Sequence, residues 1–247
     1  MSVISGVIFD LGRTLLHFTG DEKEVIDQGK SDMLAFLHQS DLALDGAEFL
    51  DAFSKQLDFS FKARLEDHVE RPTEIIFHNV MAELGYPELS SDFIGQAMRH
   101  FYSPSENHWV PNSSMLDVLD NLHQAGAMLA LLSNAGNEQN VYRLIEKANI
   151  EHYFEIILVS AGVGMRKPDH SLYRRIVEYW NIAAKQIVMI GDSLDEDILG
   201  AKRAGMHTIW LMENVNTPEN QALAEKIKPD LIAGQLGEIP ALIQKLA

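Results

Sequence analysis

The spacing of apolar positions divides this chain into two kinds of segment. A short apolar run from Val3 to Phe9 stops abruptly at Asp10 and predicts a buried strand. From about residue 21 to 102 the apolar positions recur at helical spacing: Ile26, Met33 and Leu37; Phe49, Phe53, Leu57 and Phe61; Ile76, Val80 and Leu84; Phe93, Ala97 and Phe101. Four amphipathic helices are predicted there, separated by turn signals at Asp45-Gly46, Arg71-Pro72 and Gly85-Tyr86-Pro87. From Pro111 onward helix and strand alternate. A helix opens near Ser113, with Ser114 and Asp117 at capping-box spacing, and the continuous apolar run Met128 to Leu132 follows as a strand covered on both faces. Helices at 137–147, 170–181 and 195–204 interleave with strands at 155–159, 186–190 and 207–211, and a short strand near Leu231 precedes a helix after Glu238. Repeated βα units imply a parallel sheet with right-handed crossovers and helices on both faces.

The first strand has to join that sheet to bury itself. The expected organisation is therefore an α/β, Rossmann-like core of residues 1–16 and 110–247, with a four-helix cap inserted at 17–109. Linkers at 17–20 and 107–112 are expected to act as hinges for a cover that excludes water.

Composition narrows the chemistry. The 36 acidic and 20 basic residues give a formal charge of -16, which repels nucleic-acid backbones and anionic lipid and favours a small-molecule substrate. The absence of cysteine rules out disulfides and thiolate metal sites, and the scattered histidines lack the spacing of a zinc site. With no basic segment before the first apolar run and no stretch of roughly 20 apolar residues, the expected compartment is the cytoplasm.

Two segments carry carboxylates where apolar strands end: Phe9-Asp10-Leu11-Gly12-Arg13-Thr14-Leu15-Leu16 and Gly191-Asp192-Ser193-Leu194-Asp195-Glu196-Asp197. In an open parallel sheet that edge is where ligands bind. Asp10 is placed to serve as a carboxylate nucleophile. Ser133 and Asn134 end the second core strand, where a hydroxyl and nearby N–H groups can hold a phosphoryl oxygen. Lys167, just before a helix, can neutralise the nucleophile and the charge on a transferred group, whereas its neighbour Arg166 reads as surface. Asp192 and Asp197 can face the same spot as Asp10, and three crowded carboxylates call for a cation. Magnesium is the expected one. Asp195 and Glu196 read as first-turn acids that favour the helix dipole.

Four segments in order resemble the haloacid dehalogenase-like hydrolase superfamily, in its helical-cap subgroup: FDLGRTLL at 9–16, LLSNAG at 131–136, GMRKPDHSLY at 164–173 and IGDSLDEDILGAKRAG at 190–205. The resemblance implies phosphoryl transfer through an aspartyl phosphate on Asp10, with Ser133 holding a phosphoryl oxygen. It also implies Mg2+ ligation by Asp10, the carbonyl of Gly12 and Asp192, with Asp197 near the metal or bridged through water to Lys167. Arg13, Thr14 and Asn134 are the candidate substrate-binding residues. Arg13, at a position that usually holds glycine, either contacts substrate or packs on the cap; Thr14 is expected to order the loop through backbone hydrogen bonds.

One position departs from the resembled pattern. Gly12 stands where a second aspartate acts as general acid and base, a function worth about 10² to 10⁴ in rate, or roughly 3 to 5 kcal/mol. Three readings follow. The chain is a Mg2+-dependent phosphatase or phosphotransferase acting on activated phosphates such as acyl or aryl phosphates, with His17 as a conceivable replacement acid; or a metal-independent 2-haloacid dehalogenase, whose halide leaves without a proton; or a non-enzymatic phosphate-binding regulator. In the helical block, Lys62 and Arg64 are candidate anion contacts, and Phe59, Phe61, Phe101 and Tyr102 are candidate pocket walls, with helix core as the plainer reading of the aromatics.

Overall fold

The computed structural model describes residues 4–40 and 42–246; Val3, the expected start of the first strand, lies outside them. In chain order, β1 (Gly6–Phe9) and β2 (Leu16–Phe18) precede α1 (Glu22–Gln39), α2 (Gly46–Asp67), α3 (Thr73–Glu83) and α4 (Ser91–Glu106). The chain continues through β3 (Trp109–Pro111), α5 (Met115–Gln124), β4 (Met128–Ser133), α6 (Glu138–Ala148), β5 (Ile156–Val159), α7 (Ser160–Val163) and α8 (His170–Trp180). It closes with β6 (Ile187–Gly191), α9 (Leu199–Arg203), β7 (His207–Leu211), α10 (Pro218–Ile227), β8 (Leu231–Ala233) and α11 (Ile239–Ile243).

Six strands form one parallel sheet in the order β5-β4-β1-β6-β7-β8; β1 joins the sheet as expected, and its place is between β4 and β6. Alternation along each strand feeds two cores. Val7, Phe9, Leu129, Leu131, Val188 and Ile190 pack against α5, α6 and α11, while Ile8, Ala130, Leu132, Ile187 and Met189 pack against α8 and α9. Side chains that leave opposite faces of a pleated strand need helices on both sides. This is the expected α/β architecture.

Helices α1 to α4 have a core of their own, in which Met33, Leu37, Phe49, Phe53, Phe77, Val80, Ala97 and Phe101 are buried together. Asp21, Asp45 and Ser90 cap α1, α2 and α4 by accepting first-turn N–H groups. Phe101, a candidate pocket wall, belongs to this core.

The structure departs from the pattern reading in several places. The two expected hinges pair with each other: β2 and β3 form an antiparallel ribbon, His17 opposite Val110, because the backbone groups of each linker satisfy those of the other. At the start of α5 the expected capping box is absent. The Ser114 side chain makes no cap bond; instead Asn112 Oδ1 accepts the Ser114 N–H at 2.9 Å. The expected helix over 195–204 begins as a π-helical turn, Leu194–Ile198, and only then becomes α9. The pattern reading also misses α10, which buries little besides Ala224 and therefore leaves a weak periodic signal.

Candidate active site

The C-terminal ends of β1, β4 and β6 deliver Asp10, Ser133 and Asp192 to one cavity of about 500 Å³, which Gly12, Arg13, Asn134, Glu196 and Asp197 also line. Oxygen atoms from Asp10, Asp192 and Asp197 lie within 4.8 Å of one another. Lys167 is buried among them, its Nζ 2.5 Å from Asp10 Oδ1, 2.7 Å from Asp197 Oδ1 and 2.9 Å from the carbonyl of Leu132.

The charges do not balance. Burial drives up the pKa of Asp10, and Lys167 offsets this only in part. Burial likewise pushes Asp197 well above the usual carboxylate range. Asp192 is pushed up to about 7 by burial and by the neighbouring Asp10. Burial opposes the charge of Lys167, yet Asp10 and Asp197 hold its ammonium above the ordinary lysine range. One ammonium thus pairs with two of three clustered carboxylates and leaves Asp192 without an ion pair to it. A hard divalent ion with oxygen ligands fits both the donor set and the missing positive charge.

Each acid is held by a specific local arrangement. Trp210, fully buried on β7, donates its indole N–H to the backbone carbonyl of Asp192 at 2.8 Å. Asp197 Oδ2 accepts the Ser193 N–H at 3.0 Å, and Ser193 Oγ caps the π turn by accepting the N–H of Glu196. The Tyr173 hydroxyl donates to the carbonyls of Glu196 and Asp197. Gly191 is required for this packing, since a Cβ there would lie 2.2 Å from Asp197 Oδ2.

A profile of the haloacid dehalogenase-like hydrolases matches residues 48–211, more than half of the chain. The chain belongs to that family. The matched span opens inside α2 and does not include Asp10 to Leu16. Over 187 residues, 72% of this chain and 79% of the other, the hydrolase is 30% identical to a phosphoglycolate phosphatase of Vibrio cholerae. It is 32% identical to a phosphoserine phosphatase of Thermus thermophilus over 114 residues, 46% of this chain and less than half (43%) of that relative. Among solved structures, a 2-haloacid dehalogenase from Pseudomonas syringae superposes with a TM-score of 0.68 at 20% identity, covering 99% of this chain and 100% of that one, which is a likeness of fold.

Around the acid cluster, several of the hydrolase's residues take positions other than those expected. Arg166 is buried. It donates to Glu70 at 2.7 Å and to Glu196 at 3.1 Å. Glu70 sits between α2 and α3 and also accepts the Ser160 hydroxyl at 2.7 Å. Backbone bonds from Glu70 N to Gly164 O, Arg166 N to His68 O and Thr73 N to Gly136 O reinforce the junction. The helical block is therefore fastened to the sheet domain at its far end as well as by the β2–β3 ribbon. Glu196 lines the cavity and binds Arg166. Burial works against its charge, but Lys167 and Arg166 hold its pKa below the usual range.

Asn134 spends both amide atoms on Lys167: Oδ1 accepts the lysine N–H at 2.8 Å, and Nδ2 donates to its carbonyl at 3.1 Å. It positions the lysine. Thr14 is fully buried, and its hydroxyl has no hydrogen-bond partner among the described residues. The expected backbone bonds are absent because the loop already satisfies itself, through Arg13 N to Leu16 O and from Leu15 N and Leu16 N to Leu11 O.

Arg13 adopts a left-handed φ of 61°, a conformation that glycine takes freely and that costs an arginine about 1 kcal/mol. Its guanidinium lines the cavity and also pairs with Glu22 of α1 at 2.7 Å. His17 lies in the ribbon, its ring 2.9 Å from the Asn214 amide, and is not among the residues lining the cavity. Phe59 is exposed, and Lys62 lines neither this cavity nor a smaller one that adjoins it under the helical block, whereas Arg64, Phe61 and Tyr102 do face one or both. Trp109 was missed in the sequence. Its indole lies 3.2 Å from where a Cβ on Gly12 would be and is fixed by packing on Phe18, at 5.0 Å between ring centroids.

Proposed function

We propose that this hydrolase is a Mg2+-dependent phosphatase or phosphotransferase acting on small phosphorylated metabolites through an aspartyl phosphate on Asp10. The observation that carries the proposal is the convergence of Asp10, Asp192 and Asp197 around Lys167. The names of the V. cholerae and T. thermophilus relatives support it. Asp10, Asp192 and the carbonyl of Gly12 would hold Mg2+, with Asp197 beside them. When bound, the ion would neutralise negative charge on the phosphoryl group and on the nucleophile.

In the first half-reaction, a carboxylate oxygen of Asp10 attacks phosphorus. The bond from phosphorus to the leaving oxygen breaks, and that oxygen departs with the electron pair. In the second, water attacks phosphorus, the bond to Asp10 breaks and inorganic phosphate leaves; transfer to another acceptor would make the chain a phosphotransferase. Lys167 favours the ionised form of Asp10 and offsets charge developing on the equatorial oxygens, while the Ser133 hydroxyl and adjacent backbone N–H groups take one of those oxygens. Residues 17–109 act as the cap over a core of 1–16 and 110–247.

Gly12 sets the leaving-group preference. With no carboxyl at this position, departing oxyanions that need no proton are favoured, which selects acyl and aryl phosphates over alkyl esters. The cluster of acids favours phosphoryl transfer over displacement of halide, which gains nothing from a divalent ion beside its nucleophile. The test is phosphate release from acetyl phosphate and phenyl phosphate with Mg2+ or with chelator. Mg2+-dependent release from either is expected; chloride released from 2-chloropropionate without metal, or no phosphate release at all, would refute the proposal.

Substituting Gly12→Asp tests the role of this position. Because Trp109 leaves only 3.2 Å for the new Cβ, the single variant is expected to gain modestly on alkyl phosphates. Pairing it with Trp109→Ala should approach the full acid–base factor of about 10² or more. Steady-state kinetics on a series of leaving groups measures this as a flatter dependence of rate on leaving-group pKa.

A further inference from the structure

A second cavity of about 300 Å³ adjoins the carboxylate chamber, beneath the helical block. The two cavities share a wall that includes Arg64 of α2 and Trp109 of the ribbon. Away from that wall one side of the second cavity is apolar and aromatic, with Ile26, Leu57, Phe61, Ile76 and Tyr102, and the other carries Thr73, the paired Glu70 and Arg166, and Arg71, which is engaged by Asp67. A concave apolar chamber with a few placed polar groups suits an organic group more than bulk water.

The cations around these cavities are otherwise accounted for. Arg13 pairs with Glu22, Arg71 with Asp67, Arg166 with Glu70 and Glu196, and Lys167 with Asp10 and Asp197. Arg64 differs from them. Its guanidinium lies 4.0 Å from the centroid of the Phe61 ring, and among the described residues no carboxylate reaches ion-pair distance of it. It is half-buried, and burial, with the nearby Arg166, works against its charge, which Glu70 and Glu196, beyond ion-pair distance, offset only in part. A guanidinium partly stripped of water, stacked on a ring and without an anionic partner is arranged to receive one from a ligand.

On the reading that the phosphoryl group sits at Asp10, we propose that Arg64 and the adjoining chamber select the far end of the substrate, an apolar body of about ring size carrying a second anionic group. The phosphoryl group occupies the acid cluster, the second anion pairs with Arg64 at the shared wall, and the apolar body lies against Phe61 and its neighbours. Arg64 is thus a specificity-determining residue contributed by the helical block.

Non-hydrolysable probes separate this inference from the chemistry. Affinities of 4-carboxybenzylphosphonate and benzylphosphonate are measured by calorimetry in the presence of Mg2+, for the wild type and for Arg64→Gln and Arg64→Lys. The wild type is expected to prefer the carboxylated probe by about tenfold or more, the worth of one charge-assisted hydrogen-bonded pair. Arg64→Gln should bring that ratio to within about threefold, and Arg64→Lys, which keeps charge but loses the planar fork, should fall between. A ratio near one in the wild type, a ratio unchanged in Arg64→Gln, or failure of the wild type to bind either probe would each overturn the inference. Phosphate release from phenyl and 4-carboxyphenyl phosphate is followed in parallel. Probe preference without release from these esters or from acetyl phosphate would sustain Arg64 and refute the phosphatase reading, and release without probe preference would do the reverse.

Discussion

Asp10→Asn is expected to bring phosphate release down by on the order of 10⁴-fold or more, the scale of losing a covalent nucleophile, while leaving the fold intact. Three carboxylates meet at the site, but they are not equivalent. Asp197 is almost fully buried, with one oxygen beside Lys167 and the other accepting the Ser193 N–H. Asp192 is tied through its backbone to Trp210 and shares no ion pair with the lysine. Asp10 ends the strand between β4 and β6, lines the cavity, and has Lys167 against a single oxygen. That leaves its other oxygen for attack. Asparagine has the same shape and cannot attack phosphorus, and Lys167 keeps Asp197 and the Leu132 carbonyl as partners. The thermal midpoint should therefore stay near that of the wild type. Acid-quenched protein from turnover with acetyl phosphate should carry one phosphoryl group in the wild type and none in the variant. Retained turnover in Asp10→Asn would remove Asp10 from its proposed role.

What could be read from the sequence follows how local each signal is. The sheet was legible because β1, β4 and β6 are buried on both faces and appear as short uninterrupted apolar runs. Their acids were legible because a charged residue directly after such a run has only the ligand-binding edge to occupy. Arg166 was not. It stands beside a lysine and a proline in an apparently solvated stretch, and its partner Glu70 is 96 residues away in a different layer. Glu196 was obscured for a related reason: an acid in the first turn of a helix has a sufficient local explanation, whereas its contact with Arg166 is tertiary. Asn134 resembled a turn residue and turned out to clamp the Lys167 backbone from another loop. The ribbon was hidden because three-residue strands carry almost no period. Trp109, the residue that faces Gly12, is carried on that ribbon.

Lys167→Met should abolish turnover and also destabilise the protein, which separates it from Asp10→Asn. A methionine of similar length fills the space but leaves Asp10, Asp192 and Asp197 with no ammonium among them. Removing one partner of a buried ion pair costs about 3–5 kcal/mol, which in a chain of this size corresponds to a fall in thermal midpoint of roughly 6–20 °C. The carboxylates can relieve part of that cost by taking up protons, and this gives the deficit a pH dependence of known sign. Asp10, Asp192 and Asp197 have folded pKa values above their unfolded ones, with Asp192 at about 7. The folded state therefore binds protons more tightly than the unfolded chain, so their contribution is present at low pH and is lost as pH rises through the folded values. Lys167→Met removes the group that was lowering those values. Its deficit relative to the wild type should be smaller near about pH 5.5 than near about pH 8. Added Mg2+ should raise the midpoint of the variant by more than that of the wild type, because the ion then supplies the charge that the lysine no longer does. Equal midpoints for the two proteins at both pH values would mean that the ammonium does not hold the acids together, and the assignment of Lys167 as their shared counter-ion would fail.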